Sequence, residues 1–171
     1  MKLSGLLAIL LCSLLGTGQE VHVSAGKNSV VLSVAAQKPY SLMSGEEKKP
    51  VLAVECAQKG KKTVHILKFQ PGGMLVEDNP ESSGRGGELV LDMTTGGTKE
   101  ATNWLPYGDT ESYAYYGRTE PERMKFILNM LGSPTVSIEF KPFLTGASST
   151  SVFDISKLRD EMGKHPECAT K

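Results

Sequence analysis

The chain is poor in the side chains that most often carry chemistry. Among 171 residues there are three histidines, three cysteines and one tryptophan. His22, His65 and His165 are scattered, and no histidine or cysteine set has the spacing of a zinc site. Neither a metal nor a cofactor is expected. Charge of one sign is lacking too: nineteen basic residues balance nineteen acidic ones. Without a basic excess, nothing electrostatic supports a nucleic acid or an anionic membrane as partner. There is no G-x-S-x-G elbow. Gly72-Gly73 and Gly84-Arg85-Gly86-Gly87 lack the P-loop and dinucleotide spacings and read as turns. Ser148 to Ser151 reads as a loop leading to a capped helix. No catalytic residue is singled out, and the chain is read as a non-enzyme.

One apolar run stands out, Leu6 to Leu15, interrupted by Cys12 and Ser13. It follows Lys2 and precedes Gly16, Thr17 and Gly18. It is too short to span a bilayer and has the anatomy of a secretory signal peptide. Residues 1–18 are therefore expected to be a signal, with cleavage after Gly18 preferred to cleavage after Ala25. Residues 19–171 are then a single secreted or periplasmic domain with no stable membrane span. Removing residues 1–18 takes away Lys2, Cys12 and no acid, which leaves 18 basic and 19 acidic residues and a net charge of −1.

Two cysteines, Cys56 and Cys168, then remain. An exported chain with two cysteines most simply forms one disulfide. Two free buried thiols are the competing reading. A bridge would close a loop of more than a hundred residues. The chain-entropy model gives such a loop about 4–5 kcal/mol, as an upper figure.

The pattern is mostly that of strands. Residues 20–36 read as one or two, with a turn at Gly26-Lys27-Asn28. Residues 38–48 read as a surface loop. Pro50 to Cys56 is an apolar strand with Leu52, Val54 and Cys56 on one face. A polar turn containing Gly60 leads to its return, Thr63 to Phe69. A short strand at Met74-Leu75-Val76 and a loop over the glycine-rich stretch follow. Glu88 to Met93 is another strand, Thr94 to Asn103 a polar connection, and Ser112 to Tyr116 has strand propensity.

The clearest helix spans 119–131. Thr119 and Glu122 form a capping box, and Pro121 is tolerated in the first turn. Met124, Ile127, Leu128 and Leu131 make one apolar stripe. Val136, Ile138 and Phe140 then alternate with polar residues in a strand. After a loop at 145–151, Asp154 is expected to cap a second helix over 154–162, with a Phe153–Leu158 staple. The fold class is mainly β (α+β): an antiparallel, sandwich-like domain with two short helices and one disulfide.

Trp104, Tyr107, Tyr113 and Tyr115, beside Tyr116, form an aromatic-rich segment. Aromatics are enriched at interfaces and in ligand grooves, but in a small β domain they are also ordinary core. Both readings stand at this point, and these four are the candidate binding surface. Lys59, Lys61 and Lys62 read as a solvated turn.

The ordered set PVLAVEC (50–56), KKTVHILKF (61–69), ELVLD (88–92), Trp104, FILNMLG (126–132), TVSIEF (135–140) and VFDIS (152–156), ending at Cys168, resembles a family. It is similar over residues 49–168 to the TagO and VasI proteins, small periplasmic proteins associated with type VI secretion. The resemblance implies a non-enzymatic accessory or binding role in the bacterial envelope. It also implies a disulfide between Cys56 and Cys168, and it carries over no catalytic residue. The partner would be another envelope protein. Two alternatives are an inhibitor of a cell-wall or foreign enzyme, presenting a loop at 71–87 or 94–103, and a small hydrolase using His65 with a nearby acid.

Overall fold

Eleven strands and two helices are built from residues 19–60, 62–76, 89–108, 112–143, 145 and 147–169, which are those described by the computed structural model. The expected signal peptide and most of the glycine-rich stretch lie outside them. In chain order the strands are β1 (His22–Ala25), β2 (Ser29–Ala35), β3 (Tyr40–Ser41), β4 (Glu47–Lys48), β5 (Val51–Lys59), β6 (Lys62–Gln70), β7 (Leu89–Thr95), β8 (Thr98–Pro106) and β9 (Tyr113–Tyr115). Helix α1 (Glu120–Met130), β10 (Thr135–Phe140), β11 (Ser149–Asp154) and α2 (Leu158–Gly163) complete the fold.

Nine strands form one antiparallel sheet in the order β1-β2-β5-β6-β9-β8-β7-β10-β11, and β3 with β4 makes a separate ribbon. The alternation read from the sequence decides which face is buried. β5 buries Leu52, Val54 and Cys56, β10 buries Val136, Ile138 and Phe140, and β6 buries His65, Leu67 and Phe69. Their outward neighbours, such as Glu55 and Lys68, are only partly covered. The expected antiparallel, mainly β domain with two helices is the observed one.

The two layers of this sandwich-like fold are the halves of a single curled sheet. Five strand spacings separate β6 from β11, which in a flat sheet would be about 24 Å. The rings of Phe69 on β6 and Phe153 on β11 are instead 6.3 Å apart. Phe69 also meets Phe140 at 5.2 Å and Trp104 at 6.3 Å, all edge-on. Edge-on pairs of this kind contribute roughly 0.5–1.5 kcal/mol each beyond area burial, so Phe69 is where the two halves are joined. The rim closes through Gln37, whose backbone N–H donates to the Val152 carbonyl at 2.8 Å. Gln19 strengthens the same seam. Its side-chain amide donates to the Ala35 carbonyl, and its Oε1 accepts from the Asp154 backbone N–H at 3.4 Å.

Four local expectations change. Residues 38–48 carry the small β3–β4 ribbon. Thr94 to Asn103 is not a connection. It holds the turn of a β7–β8 hairpin, with Thr95 opposite Thr98 and Gly96 and Gly97 at φ +58° and +81°. Two consecutive positive φ values make the tight turn that matches strand twist, and glycine adopts them without steric cost. With this, the 94–103 loop expected of an inhibitor is absent. The segment 145–151 likewise gives Ser149 to Ser151 to β11, which pairs with β10 from Thr135↔Asp154 to Phe140↔Ser149.

The fourth change concerns α2, which begins at Leu158 rather than at 154. Asp154 ends β11, and its Oδ1 accepts from the backbone N–H and hydroxyl of Ser156, at 3.0 and 2.6 Å. The carboxylate is spent on a turn and not on the helix. Phe153 and Leu158 are both fully buried, but Phe153 belongs to the strand. α1 follows its sequence signals: Thr119 Oγ1 accepts from Glu122 N–H at 3.3 Å, and Glu122 Oε2 accepts from Thr119 N–H at 3.2 Å. Its buried stripe is Met124, Ile127 and Met130, while Leu128 is 46% exposed.

Cys56 on β5 and Cys168 are joined, with Cα atoms 5.1 Å apart. The bridge ties the chain's C-terminal turn, Pro166–Cys168, to β5, third from one edge of the sheet. Among the described residues no helix is long and apolar enough to cross a membrane.

Candidate binding groove

The four aromatic residues of the candidate surface go to three different places. Trp104 is fully buried. Its Nε1 donates to Thr102 Oγ1 at 2.8 Å, and that hydroxyl donates to the Leu91 carbonyl at 2.8 Å. Tyr113 is also buried, and its hydroxyl accepts from Leu75 N–H at 3.2 Å. For these two the core reading holds, and neither is a binding surface. Their polar atoms have partners inside, which removes the cost of burying them.

Tyr107 lies on the outer face of the sheet. Lys68 Nζ sits 5.2 Å from its ring centre and 2.9 Å from Glu55 Oε2, and the Tyr107 hydroxyl reaches the same oxygen at 3.5 Å. Partial burial and the Glu55 carboxylate raise the Tyr107 phenol above its ordinary value. This cluster binds β5, β6 and the end of β8 to one another, and its charges are satisfied.

Tyr115 is the one that meets a cavity. Its ring stacks on Phe126 of α1, with centroids 4.0 Å apart and planes 11° from parallel. Trp104 also meets this ring edge-on, at 6.0 Å. Beside the stack is an open groove of about 540 Å³, between the β8–β9 edge and α1. Asn103, Tyr116, Arg118, Glu122, Lys125 and Asn129 complete its lining. That volume lies within the range of about 300–1,000 Å³ typical of ligand sites. Burial, then Glu100 and Glu122, raise the Tyr115 phenol.

The groove exists because the sheet is incomplete here. β9 is three residues long and pairs with β6 only at Lys68 and Phe69. The first half of β6 therefore has β5 on one side and, among the described residues, no strand on the other. α1 fills the gap. Glu120, in its first turn, accepts the His65 backbone N–H at 2.8 Å through Oε1, as a strand carbonyl would. The same oxygen lies 2.7 Å from His65 Nδ1, and Oε2 accepts from Arg123 Nη2 at 2.7 Å. Arg123 Nη1 in turn donates to the Gly117 carbonyl at 2.8 Å. A Cβ on Gly117 would stand 2.5 Å from Arg123 Cγ, so only glycine allows this approach. Tyr116 N–H donates to the Asn103 carbonyl at 2.7 Å. The wall carrying Tyr116 and Arg118 is thus fixed at both ends.

His65 is fully engaged in that framework. It is 2% exposed, and its Nε2 lies 3.1 Å from the Cys168 carbonyl. Both ring nitrogens face oxygen acceptors. Neither nitrogen is open to a substrate. This is a structural pair and does not have the geometry of a general base. His22 is exposed on β1, and His165 Nε2 lies 3.7 Å from Glu161 Oε1. Among the described residues no group of His, Cys, Asp and Glu is arranged to hold a metal ion.

Arg118, Lys125, Phe126 and Asn129 were not singled out from the sequence. Phe126 offered the one available signal: it is a large aromatic just off the stripe of an amphipathic helix, where a charged or small residue is usual. The fold and groove define a disulfide-tied antiparallel β protein with an aromatic-floored cleft. Compared with known proteins, the chain matches no family model, no curated protein and no solved structure.

Proposed function

We propose that this chain is a non-catalytic binding protein of the bacterial envelope, periplasmic or secreted, which holds its partner in the groove between β9 and α1. The observation that carries this reading is the groove itself. An aromatic stack forms its floor, and Arg118 and Tyr116 stand on a wall held by Asn103 and Arg123. A preformed site of this kind lowers the ordering cost of association. The Cys56–Cys168 bond suits an oxidising compartment, and the signal-like start supports export. The engaged state of His65 argues against the hydrolase alternative. The similarity to TagO and VasI supports a secretion-associated accessory role in particular.

The reading is tested by placing a photo-crosslinking residue at Tyr116 in the exported protein, with the same residue at exposed Lys27 as control. One discrete adduct with another envelope protein is expected from position 116 and none from position 27. That partner, purified, should bind wild-type protein and lose affinity for Phe126→Ala. Equal labelling from both positions, or none from the groove, overturns the reading. Membership of the captured partner in a secretion system decides the secretion-associated form of it.

A further inference from the structure

Two cations at the groove have no ion-pair partner among the described residues. Arg118 and Lys125 both line it and both are exposed. Among the described residues neither has a carboxylate within ion-pair distance. Of the carboxylates nearby, two are committed, and Glu100 on β8 stands close enough to act on the Tyr115 phenol. Glu122 closes the capping box through Thr119 N–H, and Glu120 is shared between His65 and Arg123. The third cation of this region, Arg123, is neutralised by Glu120 at 2.7 Å and faces Gly117 rather than the cleft. The remaining polar lining is Asn103 and Asn129, whose side-chain amides can donate as well as accept. The cleft therefore joins a flat aromatic floor to two open cations, two amides and the capping carboxylate of Glu122.

Resting on the proposal that this groove is the partner site, we propose that its occupant is an acidic peptide segment of the partner, with an apolar or aromatic residue among its carboxylates. The apolar side chain lies against the Tyr115–Phe126 stack, and carboxylates meet Arg118 and Lys125. Arginine suits this task because its planar guanidinium takes a carboxylate through two parallel hydrogen bonds. Arg118 is also the better placed of the two. It sits between Gly117 and Thr119, both fixed by hydrogen bonds, so little backbone freedom is lost on binding. An extended peptide is favoured over a compact anion because the cleft is open and its cations come from two elements, the β9–α1 connection and α1 itself.

The test uses the purified mature protein on an array of immobilised hexapeptides. Each carries one aromatic residue, and acidic, basic and neutral sequences are equally represented. Acidic peptides should be retained preferentially, and replacing their Asp and Glu by Asn and Gln should weaken binding about tenfold for each carboxylate that pairs with a groove cation. The double variant Arg118→Glu/Lys125→Glu changes only exposed side chains and should shift the preference to basic peptides. Retention independent of charge, a basic preference in the wild type, or no retention of any peptide overturns the acidic assignment. Binding only to vesicles of phosphatidylcholine with phosphatidylglycerol, or only to cell-wall glycan fragments, overturns it as well. The two proposals fail separately. A Tyr116 adduct with a partner whose contact segment is neutral keeps the groove and removes the acidic occupant. Loss of the Tyr116 adduct removes the groove.

Discussion

Glu120 is the residue on which most local structure converges. It stands in for a missing strand beside β6, pairs with the buried His65 ring and holds Arg123. Burial works to raise its carboxyl, but the bonds from the His65 ring and backbone and from Arg123 outweigh this and hold it below its ordinary value of 4.5. A carboxyl lowered in the folded state stabilises the fold above its unfolded value, and that contribution disappears as pH falls through the folded value. Glu120→Gln keeps the size and removes the charge, leaving the buried His65 ring with a weaker acceptor. The variant should lose about 1–3 kcal/mol at pH 7, the usual cost when a charged hydrogen-bond partner is removed. The loss should shrink as pH falls from about 4.5 through the lower folded value, where the wild-type carboxylate also becomes protonated. Urea unfolding at pH 7, 5 and 3 measures both. A difference between the proteins that stays constant down to pH 3 would show that the charge is not what matters.

At the scale of single elements, α1 has the most local specification. Thr119 and Glu122 sit three residues apart in sequence and bond to each other in the structure, so nothing distant can shift the start of the helix. Thr119→Ala should cost about 1 kcal/mol, within the usual span for a lost N-cap. It should also loosen the Tyr116–Arg118 wall, read as faster hydrogen exchange at Arg118 and Glu122 with β10 unaffected. Other elements were legible in the sequence to the extent that their signals are equally local. Strands with one buried face, such as β5 and β10, announce themselves because alternation follows directly from the pleat. β8 does not, because Thr98 to Ala101 are all exposed and show no alternation, and its partner is set by the Gly96–Gly97 turn. Asp154 misleads because the same side chain can cap a helix or a turn, and the strand before it decides which. The disulfide was legible from a count of cysteines in a chain read as exported. The groove was not, because Tyr115 and Phe126 meet only when the sheet curls and α1 fills its gap.

On the scale of the whole molecule, the C-terminal turn and the groove are joined by one continuous set of contacts. Cys168 is bonded to Cys56 on β5, and its carbonyl lies against His65 Nε2. His65 leads to Glu120, Glu120 to Arg123, and Arg123 to the Gly117 carbonyl at the groove wall. The disulfide therefore does more than close a loop of 112 residues in sequence separation. It holds the acceptor that faces one nitrogen of a buried ring. Replacing both cysteines, Cys56→Ala/Cys168→Ala, should cost about 2–5 kcal/mol, the range for native disulfides in small secreted domains. The cost should be distributed unevenly. If the bridge acted only by restricting the unfolded chain, every protected amide in the native protein would lose the same protection. Because Cys168 also seats against His65, exchange should rise most at the His65 amide, in α2 and in the first turn of α1. Trp104 and Phe140 lie on β8 and β10, away from the bridge, and should report only the global loss. Native-state hydrogen exchange on the double variant separates the two cases, and a uniform loss across the sheet and α1 would show that the bridge acts on the unfolded chain alone.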